Sequence, residues 1–215
     1  MFETIESRNE ALAGKLNQQL TEKSVYAINV MGTPGAGKTS VLTELIKLLD
    51  KPSFVIEGDI ESDIDTKKLL DMGIGSYQIN TGGACHLDSP LIESALKENP
   101  IENCFLFIEN IGNLVCPAEF MIGEHMKLLV CSVPEGADKP YKYPLAFEKA
   151  GAIVLNKIDL LPYVTFDYDF FEKGVRHLNK AAPIFKISAV KEEGFADLAE
   201  MLINNRGMLH ADRGL

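Results

Sequence analysis

The segment Gly32-Thr33-Pro34-Gly35-Ala36-Gly37-Lys38-Thr39 (residues 32–39) decides the fold, because it matches the pattern G-x-x-x-x-G-K-T of a phosphate-binding loop. An apolar run of strand length, residues 25–31, precedes it, and residues 40–49 carry apolar side chains at helical spacing after it. Strand, glycine-rich loop and helix form the context that this motif requires. The sequence therefore predicts a nucleoside triphosphatase, and its flanks argue against a chance glycine-rich turn.

The residue types of this loop explain how it would bind a triphosphate. Glycines let successive backbone N–H groups point at phosphate oxygens, and the following helix presents its N-terminus to the anion. We expect Lys38 to reach the β- and γ-phosphates and the hydroxyl of Thr39 to bind Mg²⁺. The predicted nucleotide-binding residues of this segment are Gly32, Thr33, Pro34, Gly35, Ala36, Gly37, Lys38, Thr39 and Ser40.

Acidic residues follow two further predicted strands at the edge of the sheet where the phosphate loop should lie. Asp59 and Asp63 follow strand 53–57 and are candidates for binding Mg²⁺ and orienting the attacking water, with Asp59 preferred for the water. The alternative for both is a solvated, acid-rich helix start. Glu109 ends an apolar strand, and Gly112 could contact a γ-phosphate through its N–H. The candidate catalytic residues are Lys38, Asp59 and Glu109, and the candidate magnesium ligands are Thr39, Asp59, Asp63 and Glu109.

The segment Asn156-Lys157-Ile158-Asp159 indicates which base is bound. A carboxylate at Asp159 can accept hydrogen bonds from N1–H and the 2-amino group of guanine, and adenine offers no such pair of donors. The Lys157 stem can cover one face of the base. Ser188-Ala189 follows the next predicted strand, where a backbone N–H could meet guanine O6. Together with the phosphate loop, these residues predict a GTPase.

Predicted strands and helices alternate along the chain, which indicates an α/β fold with a doubly wound, mainly parallel sheet flanked by helices. We expect residues 1–24 to form an N-terminal helix packed on the domain, 25–205 the phosphate-loop GTPase domain, and 206–215 a loose C-terminal tail. The predicted strands are 25–31, 53–57, 77–80, 104–109, 127–133, 152–155 and 183–187, and the predicted helices are 3–23, 38–50, 64–72, 89–98, 143–150, 167–181 and 194–204, with a loop at 134–142.

The composition indicates which cellular compartment and which classes of partner to expect. The 215 residues are 46% hydrophobic and 24% charged, which fits one globular domain. The net charge of −10 argues against a nucleic-acid partner. No apolar run reaches the ~20 residues of a membrane span, and the N-terminus lacks the pattern of a signal peptide. We therefore expect a cytoplasmic protein with no membrane partner, in which the four cysteines are thiols or metal ligands.

Three side chains of types that commonly bind metal ions lie in two predicted loops. Cys85 and His86 are adjacent, and Cys116 follows about thirty residues later. Thiolate and imidazole suit Zn²⁺ or Ni²⁺, although the spacing is not that of a structural zinc module. From spacing alone, metal binding and inert thiols both remain open. Because Cys116 lies close behind Glu109 and Gly112, a metal there would be coupled to the nucleotide state.

At these residues the chain resembles the HypB family of GTPases, which help to load nickel into nickel–iron hydrogenase. The resemblance covers roughly residues 25–205. It rests on the phosphate loop, Glu57-Gly58-Asp59, Thr81-Gly82 with Cys85-His86-Leu87, Glu109-Asn110-Ile111-Gly112-Asn113-Leu114-Val115-Cys116-Pro117, Glu135-Gly136 with Asp138-Lys139-Pro140, and Asn156-Lys157-Ile158-Asp159-Leu160-Leu161-Pro162.

The resemblance implies a G domain of the SIMIBI type that binds GTP or GDP with Mg²⁺ and dimerises when GTP is bound. It also implies a site for Ni²⁺ or Zn²⁺ formed by Cys85, His86 and Cys116 at or near the dimer interface. The expected partners are a nickel metallochaperone of the HypA type and the hydrogenase large subunit.

Two departures and three alternatives qualify this interpretation. Residues 1–24 contain no Cys or His, so tight nickel storage is not expected, and Gly83 stands where many relatives carry lysine. A urease accessory GTPase of the UreG type is the nearest rival, but it carries Cys-Pro-His where this chain has Cys-His-Leu. A small-molecule kinase with a phosphate loop would turn over rapidly with an acceptor. A scaffold that binds nucleotide without catalysis would keep its cellular function after Lys38→Ala.

Overall fold

The computed structural model describes residues 5–59, 64–83 and 85–211. Seven strands in this part of the chain form one sheet in the order β3-β2-β4-β1-β5-β6-β7, and every neighbouring pair is parallel. The strands are β1 Tyr26–Met31, β2 Ser53–Asp59, β3 Gly75–Asn80, β4 Phe105–Glu109, β5 Met126–Ser132, β6 Ala152–Asn156 and β7 Ile184–Lys186. The predicted doubly wound parallel sheet is confirmed.

Helices cover both faces of this sheet. They are α1 Ile5–Glu22, α2 Lys38–Ile46, α3 Ile64–Asp71, α4 Ser89–Glu98, α5 Cys116–Glu119, α6 Lys139–Lys142, α7 Pro144–Lys149, α8 Tyr168–Leu178 and α9 Ala196–Ala211. Strands β1, β4, β5 and β6 are buried along their whole length, as their apolar sequences require for the centre of a parallel sheet. Within the described ranges, none of these helices has the length and apolar character needed to cross a membrane.

The strand order gathers the candidate site residues at one edge of the sheet. Strand β1 has β4 on one side and β5 on the other. The chain runs from β1 to β2 on one side of β1, and it later crosses from β4 to β5 on the other side, so the order of the strands reverses at β1. Ligands of open α/β sheets bind beyond the carboxyl ends of the strands at such a switch point. The phosphate loop follows β1, Glu109 ends β4, and Asn156 ends β6. The fold therefore places the two sequence motifs on the same edge.

Helix α1 packs onto the domain through its apolar side. Leu16 and Leu20 are buried in a cluster that includes Ile92 of α4 and Leu106 of β4. Asn17 donates hydrogen bonds to the carbonyls of Gly123 and Glu124. The helix is therefore tied both to α4 and to the segment that precedes β5.

Several boundaries differ from the sequence prediction. The predicted loop 134–142 contains α6, whose start carries Pro140 and whose end is linked by a 2.6 Å ion pair between Lys142 and Asp138. The predicted helix at 38–50 stops at Ile46, and a tighter turn follows in which the N–H of Leu48 bonds to the carbonyl of Leu45.

The prediction of a loose tail at 206–215 is wrong for residues 206–211, which continue α9, and residues 212–215 lie outside the described part. Arg206 is buried and donates to the carbonyl of Ser24 at 3.0 Å and to Asn103 Oδ1 at 2.6 Å. Leu209 packs against the core. These contacts with distant residues hold the last turns in place, and local sequence does not reveal them.

Candidate nucleotide and metal site

The backbone of the phosphate loop has the conformation that its glycines allow. Gly35 and Gly37 have φ angles of 78° and 93°, a left-handed conformation that other residues rarely adopt. Gly37 lies directly before α2, so the N-terminus of that helix opens onto the loop. A side chain at Gly32 would place its Cβ 2.5 Å from the carbonyl oxygen of Val130. The loop therefore depends on glycine both for its curvature and for its approach to β5.

Lys38, Thr39 and Glu109 meet at the floor of this loop. The Thr39 hydroxyl donates to Glu109 Oε1 at 3.0 Å, and Lys38 Nζ lies 4.0 Å from the same oxygen. Lys38 Nζ is 3.4 Å from the carbonyl oxygen of Gly32, so the side chain folds back over the loop. A hydroxyl and a carboxylate side by side are the oxygen ligands that Mg²⁺ prefers. The residues present thus fit a magnesium ion beside a triphosphate.

Glu135 lies in a segment that carries the family resemblance, but it was not among the predicted site residues. Its carboxylate accepts a hydrogen bond from the hydroxyl of Thr33 in the phosphate loop, and Lys139 Nζ lies 3.1 Å from the same oxygen. The other oxygen accepts from the backbone N–H and hydroxyl of Ser132 in a capping box. Serine followed three residues later by glutamate after an apolar strand is the signal that could have indicated this cap.

The predicted base-binding segment is joined to the phosphate loop. Asn156 Nδ2 donates to the carbonyl of Ala36 at 3.0 Å, and Asn156 Oδ1 accepts from the N–H of Ala189 at 3.3 Å. Lys157 has a φ angle of 61°, and its Nζ donates to the carbonyl of Gly35 at 2.6 Å. One asparagine therefore connects the loop for the phosphates with both segments expected to hold the base.

Asp159 and Ser188 are joined by a side-chain hydrogen bond that the sequence did not predict. The hydroxyl of Ser188 donates to Asp159 Oδ1 at 2.5 Å and accepts from the N–H of Lys191 at 3.2 Å. This pair of contacts fixes one carboxylate oxygen of Asp159. The arrangement can orient that carboxylate toward a base with paired N–H donors.

Gly112 contacts the phosphate loop directly. A Cβ at this position would lie 2.7 Å from Cγ and 2.9 Å from the backbone nitrogen of Pro34. The neighbouring residue Asn113 pairs with Gly32 in an isolated antiparallel bridge. The segment after β4 therefore packs against the first residues of the phosphate loop.

Cys85, His86 and Cys116 form one cluster. Their ligand atoms all lie within 4.8 Å of one another, and the described residues contain no other such group of three. Cys85 Sγ lies 3.1 Å from Cys116 Sγ and 3.3 Å from His86 Nδ1. The thiol hydrogen bond to Cys116, with a smaller effect of burial, raises the pKa of Cys85. Two sulfurs and one imidazole nitrogen at this separation fit a Zn²⁺ or Ni²⁺ ion.

Neighbouring side chains orient the cluster. The His86 ring stacks on Phe120, with ring centres 4.9 Å apart. Lys127 Nζ donates to the carbonyls of Pro117 and Phe120 at 2.8 and 2.6 Å and pairs with buried Glu124 at 2.8 Å. These contacts fix α5, which begins at Cys116. Phe120 and Lys127 were not among the predicted site residues, because only the fold brings them to the loops that carry Cys85 and Cys116.

Two of the predicted site residues have side chains outside the part of the chain that the structure describes. Asp59 ends β2, where its backbone pairs with Asn80, but its side chain is outside the described part of the chain. Asp63 lies outside the described residues altogether. The roles predicted for these two carboxylates therefore stay predictions.

The two remaining cysteines belong to the core. Burial raises the pKa of the Cys104 thiol to about 11, with nearby Arg206 opposing the shift. Burial also raises the pKa of Cys131, whose thiol donates to the carbonyl of Val154. Both thiols lie within apolar clusters and away from Cys85 and Cys116.

The fold and the phosphate loop define a nucleotide-binding domain, and comparison with known proteins identifies its family. Residues 26–186 match the family model described as CobW/HypB/UreG, nucleotide-binding domain. The chain is 40% identical over 203 residues to the hydrogenase maturation factor HypB of Azotobacter vinelandii, which covers 93% of this chain and 67% of that protein. It is 43% identical over 190 residues to HypB of Escherichia coli, covering 87% of this chain and 66% of that protein. The chain belongs to the HypB family.

Solved structures agree with this assignment. The crystal structure of HypB from Helicobacter pylori in complex with nickel superposes with a TM-score of 0.88 at 34% identity, covering 94% of this chain and 96% of that one. HypB from Archaeoglobus fulgidus gives a TM-score of 0.85 at 33% identity, covering 94% and 99%. The signal recognition particle receptor FtsY of Elizabethkingia anophelis shares the fold alone, with a TM-score of 0.51 at 14% identity over 93% of this chain and 74% of that one.

Proposed function

We propose that this protein binds and slowly hydrolyses GTP and couples nucleotide-dependent dimerisation to nickel delivery during maturation of nickel–iron hydrogenase. One observation carries the proposal: the cluster of Cys85, His86 and Cys116 adjoins the segment through which Gly112 contacts Pro34 of the phosphate loop. A change in that segment on binding a γ-phosphate would reach the metal ligands. The coupling of nucleotide and metal would be reciprocal.

The nucleotide half of the proposal assigns a task to each residue. The loop amides and Lys38 hold the phosphates, and the guanine base is bound by Asn156, Asp159 and the Ser188-Ala189 segment. Thr39 and Glu109 hold Mg²⁺, with Asp59 and Asp63 as further ligands. Mg²⁺ supplies charge neutralisation at the phosphates. Asp59 is proposed to orient the attacking water.

In the metal half of the proposal, nickel is cargo. Cys85, His86 and Cys116 supply three ligands, one fewer than a closed tetrahedral site uses. A three-ligand site leaves a position for exchange or for a ligand from a second copy of the chain. The nickel-bound Helicobacter pylori relative supports Ni²⁺ as the cargo, and Zn²⁺ is the competing ion for the same donors.

The partners follow from the family. We propose a cytoplasmic homodimer that receives or passes nickel through a HypA-type metallochaperone and serves the hydrogenase large subunit. The net charge of −10 argues against nucleic acid. Urease is a second candidate client, because the relatives from Helicobacter hepaticus and Helicobacter pylori, 36% and 35% identical, are named hydrogenase/urease maturation factors.

Phosphate release and molar mass together test the GTPase proposal. The protein should release phosphate from GTP slowly without any acceptor. Its molar mass, measured by light scattering, should be higher with a non-hydrolysable GTP analogue than with GDP. Lys38→Ala removes a charge-assisted contact worth ~1.5–3 kcal/mol and should weaken GTP binding about tenfold to a hundredfold. Fast transfer to a small acceptor would favour the kinase. Equal molar mass in both nucleotide states would contradict nucleotide-dependent dimerisation.

A further inference from the structure

Asn113 touches both metal-bearing loops as well as the phosphate loop. Its side-chain Nδ2 donates to the carbonyl of Cys85 at 3.3 Å. Its Oδ1 accepts from the N–H of Val115, the residue before Cys116, at 2.8 Å. Its backbone pairs with Gly32, the first residue of the phosphate loop. A single amide side chain therefore spans the two segments that carry the cysteines, while its own backbone is attached to the nucleotide site.

A second asparagine in the same segment makes a different kind of contact. Asn110 is buried, and its Oδ1 accepts from the N–H groups of Leu87 and Ile111 at 3.1 and 3.0 Å. Its Nδ2 donates to Asn29 Oδ1 at 3.2 Å, and its backbone N–H donates to Val30. Asn110 thus anchors the metal loop to β1 of the sheet, whereas Asn113 connects that loop to the segment facing the phosphates.

The position of Asn113 lets it transmit a displacement. It directly follows Gly112, which packs against Pro34 with no room for a Cβ. A shift of this tight contact when the loop holds a triphosphate would carry Asn113 with it. Because Asn113 bonds to the Cys85 carbonyl and to the amide preceding Cys116, such a shift would alter the separation of the two sulfurs.

We infer that Asn113 is the positioning residue that links nucleotide occupancy of the phosphate loop to the geometry of the nickel ligands. This inference rests on the proposed function, since it assumes that nickel binds at Cys85, His86 and Cys116. It assigns to Asn113 no contact with nickel or with the reacting phosphate. Its effect is on the difference in nickel affinity between two nucleotide states.

The test compares Ni²⁺ affinity in the GDP state and in the state with a non-hydrolysable GTP analogue, using competition with a chromophoric chelator. Asn113→Ala removes both side-chain hydrogen bonds, and Asn113→Asp keeps the acceptor for Val115 but loses the donor to Cys85. Asn80→Ala is the matched control, because Asn80 Oδ1 accepts from the N–H of Gly82 at 3.0 Å on the same loop. Melting temperatures and nucleotide affinities verify that each variant is folded.

We expect the wild-type affinities in the two states to differ by at least about fivefold, as for a typical allosteric coupling. In both Asn113 variants this ratio should fall below about twofold, and in Asn80→Ala it should stay at the wild-type value. A purely structural role would lower both affinities together and leave the ratio unchanged, which would overturn the inference. Loss of the ratio in Asn80→Ala would overturn it as well. A wild-type ratio near one would instead refute the coupling in the proposed function, and this inference with it.

Discussion

The sulfur atoms of Cys85 and Cys116 lie 3.1 Å apart, although 31 positions separate these residues in the chain. Cys85 lies in the loop after β3, and Cys116 begins the short helix α5 after β4. These strands are not neighbours, because β2 lies between them in the sheet. The two loops therefore meet above β2, beside the phosphate loop. The proposed metal ligands share their supporting segment with the contact between Gly112 and Pro34.

Asp159→Asn should weaken GTP binding about tenfold to a hundredfold, because a hydrogen bond to a charged group contributes ~1.5–3 kcal/mol. The variant should also gain affinity for XTP, whose 2-oxo group can accept from the new amide. Competition of GTP and XTP for a fluorescent nucleotide measures both effects. Ser188→Ala removes only the hydroxyl that orients Asp159 and should cause a smaller loss. Unchanged preference for GTP over XTP in Asp159→Asn would refute this assignment.

Gly112→Ala should weaken binding of a GTP analogue more than binding of GDP. Its Cβ would lie 2.7 Å from Cγ of Pro34, and overpacking of this kind costs ~1–3 kcal/mol, which corresponds to about fivefold to a hundredfold in affinity. Gly14→Ala is the control, since a Cβ there meets nothing within 4 Å and alanine raises helix stability by about 1 kcal/mol. Calorimetric titration with both nucleotides checks the prediction. An equal loss for GDP and the analogue would show that Gly112 does not sense the third phosphate.

Maleimide labelling near neutral pH should modify Cys85 and Cys116 and spare Cys104 and Cys131. Cys85 is exposed and Cys116 is half-buried, so maleimide can reach them although the pKa of Cys85 is also raised. Cys104 and Cys131 are buried, and burial raises their pKa and leaves little thiolate. Ni²⁺ should slow labelling of the first pair, and denaturant should expose all four. Peptide mass spectrometry identifies the labelled sites. Labelling of Cys85 at the same rate with and without Ni²⁺ would argue against this cysteine as a ligand.

His125 should make the protein less stable as the pH falls below 6.5. The N–H of Ala27 donates to His125 Nδ1 at 2.9 Å, so this nitrogen carries no proton, and burial lowers the pKa of the ring below 6.5 despite the nearby Glu124 carboxylate. The unfolded chain then binds a proton before the folded one does. The contribution of neutral His125 to the free energy of unfolding is therefore complete above pH 6.5 and is lost as the pH falls through the lowered pKa of the folded state.

His125→Asn tests this effect, because its side-chain oxygen can replace Nδ1 as the acceptor and does not titrate. The unfolding free energy, measured with urea at a series of pH values, should fall less steeply below pH 6.5 in the variant than in the wild type. Parallel curves for the two proteins would show that His125 does not control this part of the pH dependence.

Local sequence could predict the sheet and the nucleotide motifs for a physical reason. A phosphate loop needs glycine at Gly35 and Gly37 because of their left-handed backbone, and buried parallel strands need continuous apolar runs. These requirements are local and visible in the residue types. Ser188 follows the last strand as predicted, and its contact with Asp159 arises because both residues lie just beyond the carboxyl ends of adjacent strands.

Contacts between distant segments explain what the sequence could not predict. The loose tail was expected because chain ends are commonly loose, yet Arg206 donates to Ser24 and Asn103, which are distant from it in the sequence. Likewise, nothing in the residue types around Asn113 marks a link to Cys85. The spacing of Cys85 and Cys116 does not show that their side chains meet, and only the fold brings them together with His86.

Titration with Ni²⁺ tests the central claim most directly, with wild-type protein in the GDP state and with a non-hydrolysable GTP analogue. The account predicts one site formed by Cys85, His86 and Cys116 in each chain, with affinities that differ by at least about fivefold between the two states. Cys116→Ala should abolish this site and leave GTP affinity unchanged, while Cys104→Ala should retain it. Equal affinity and stoichiometry in both nucleotide states would contradict the coupling, and nickel binding that survives Cys116→Ala would contradict the site.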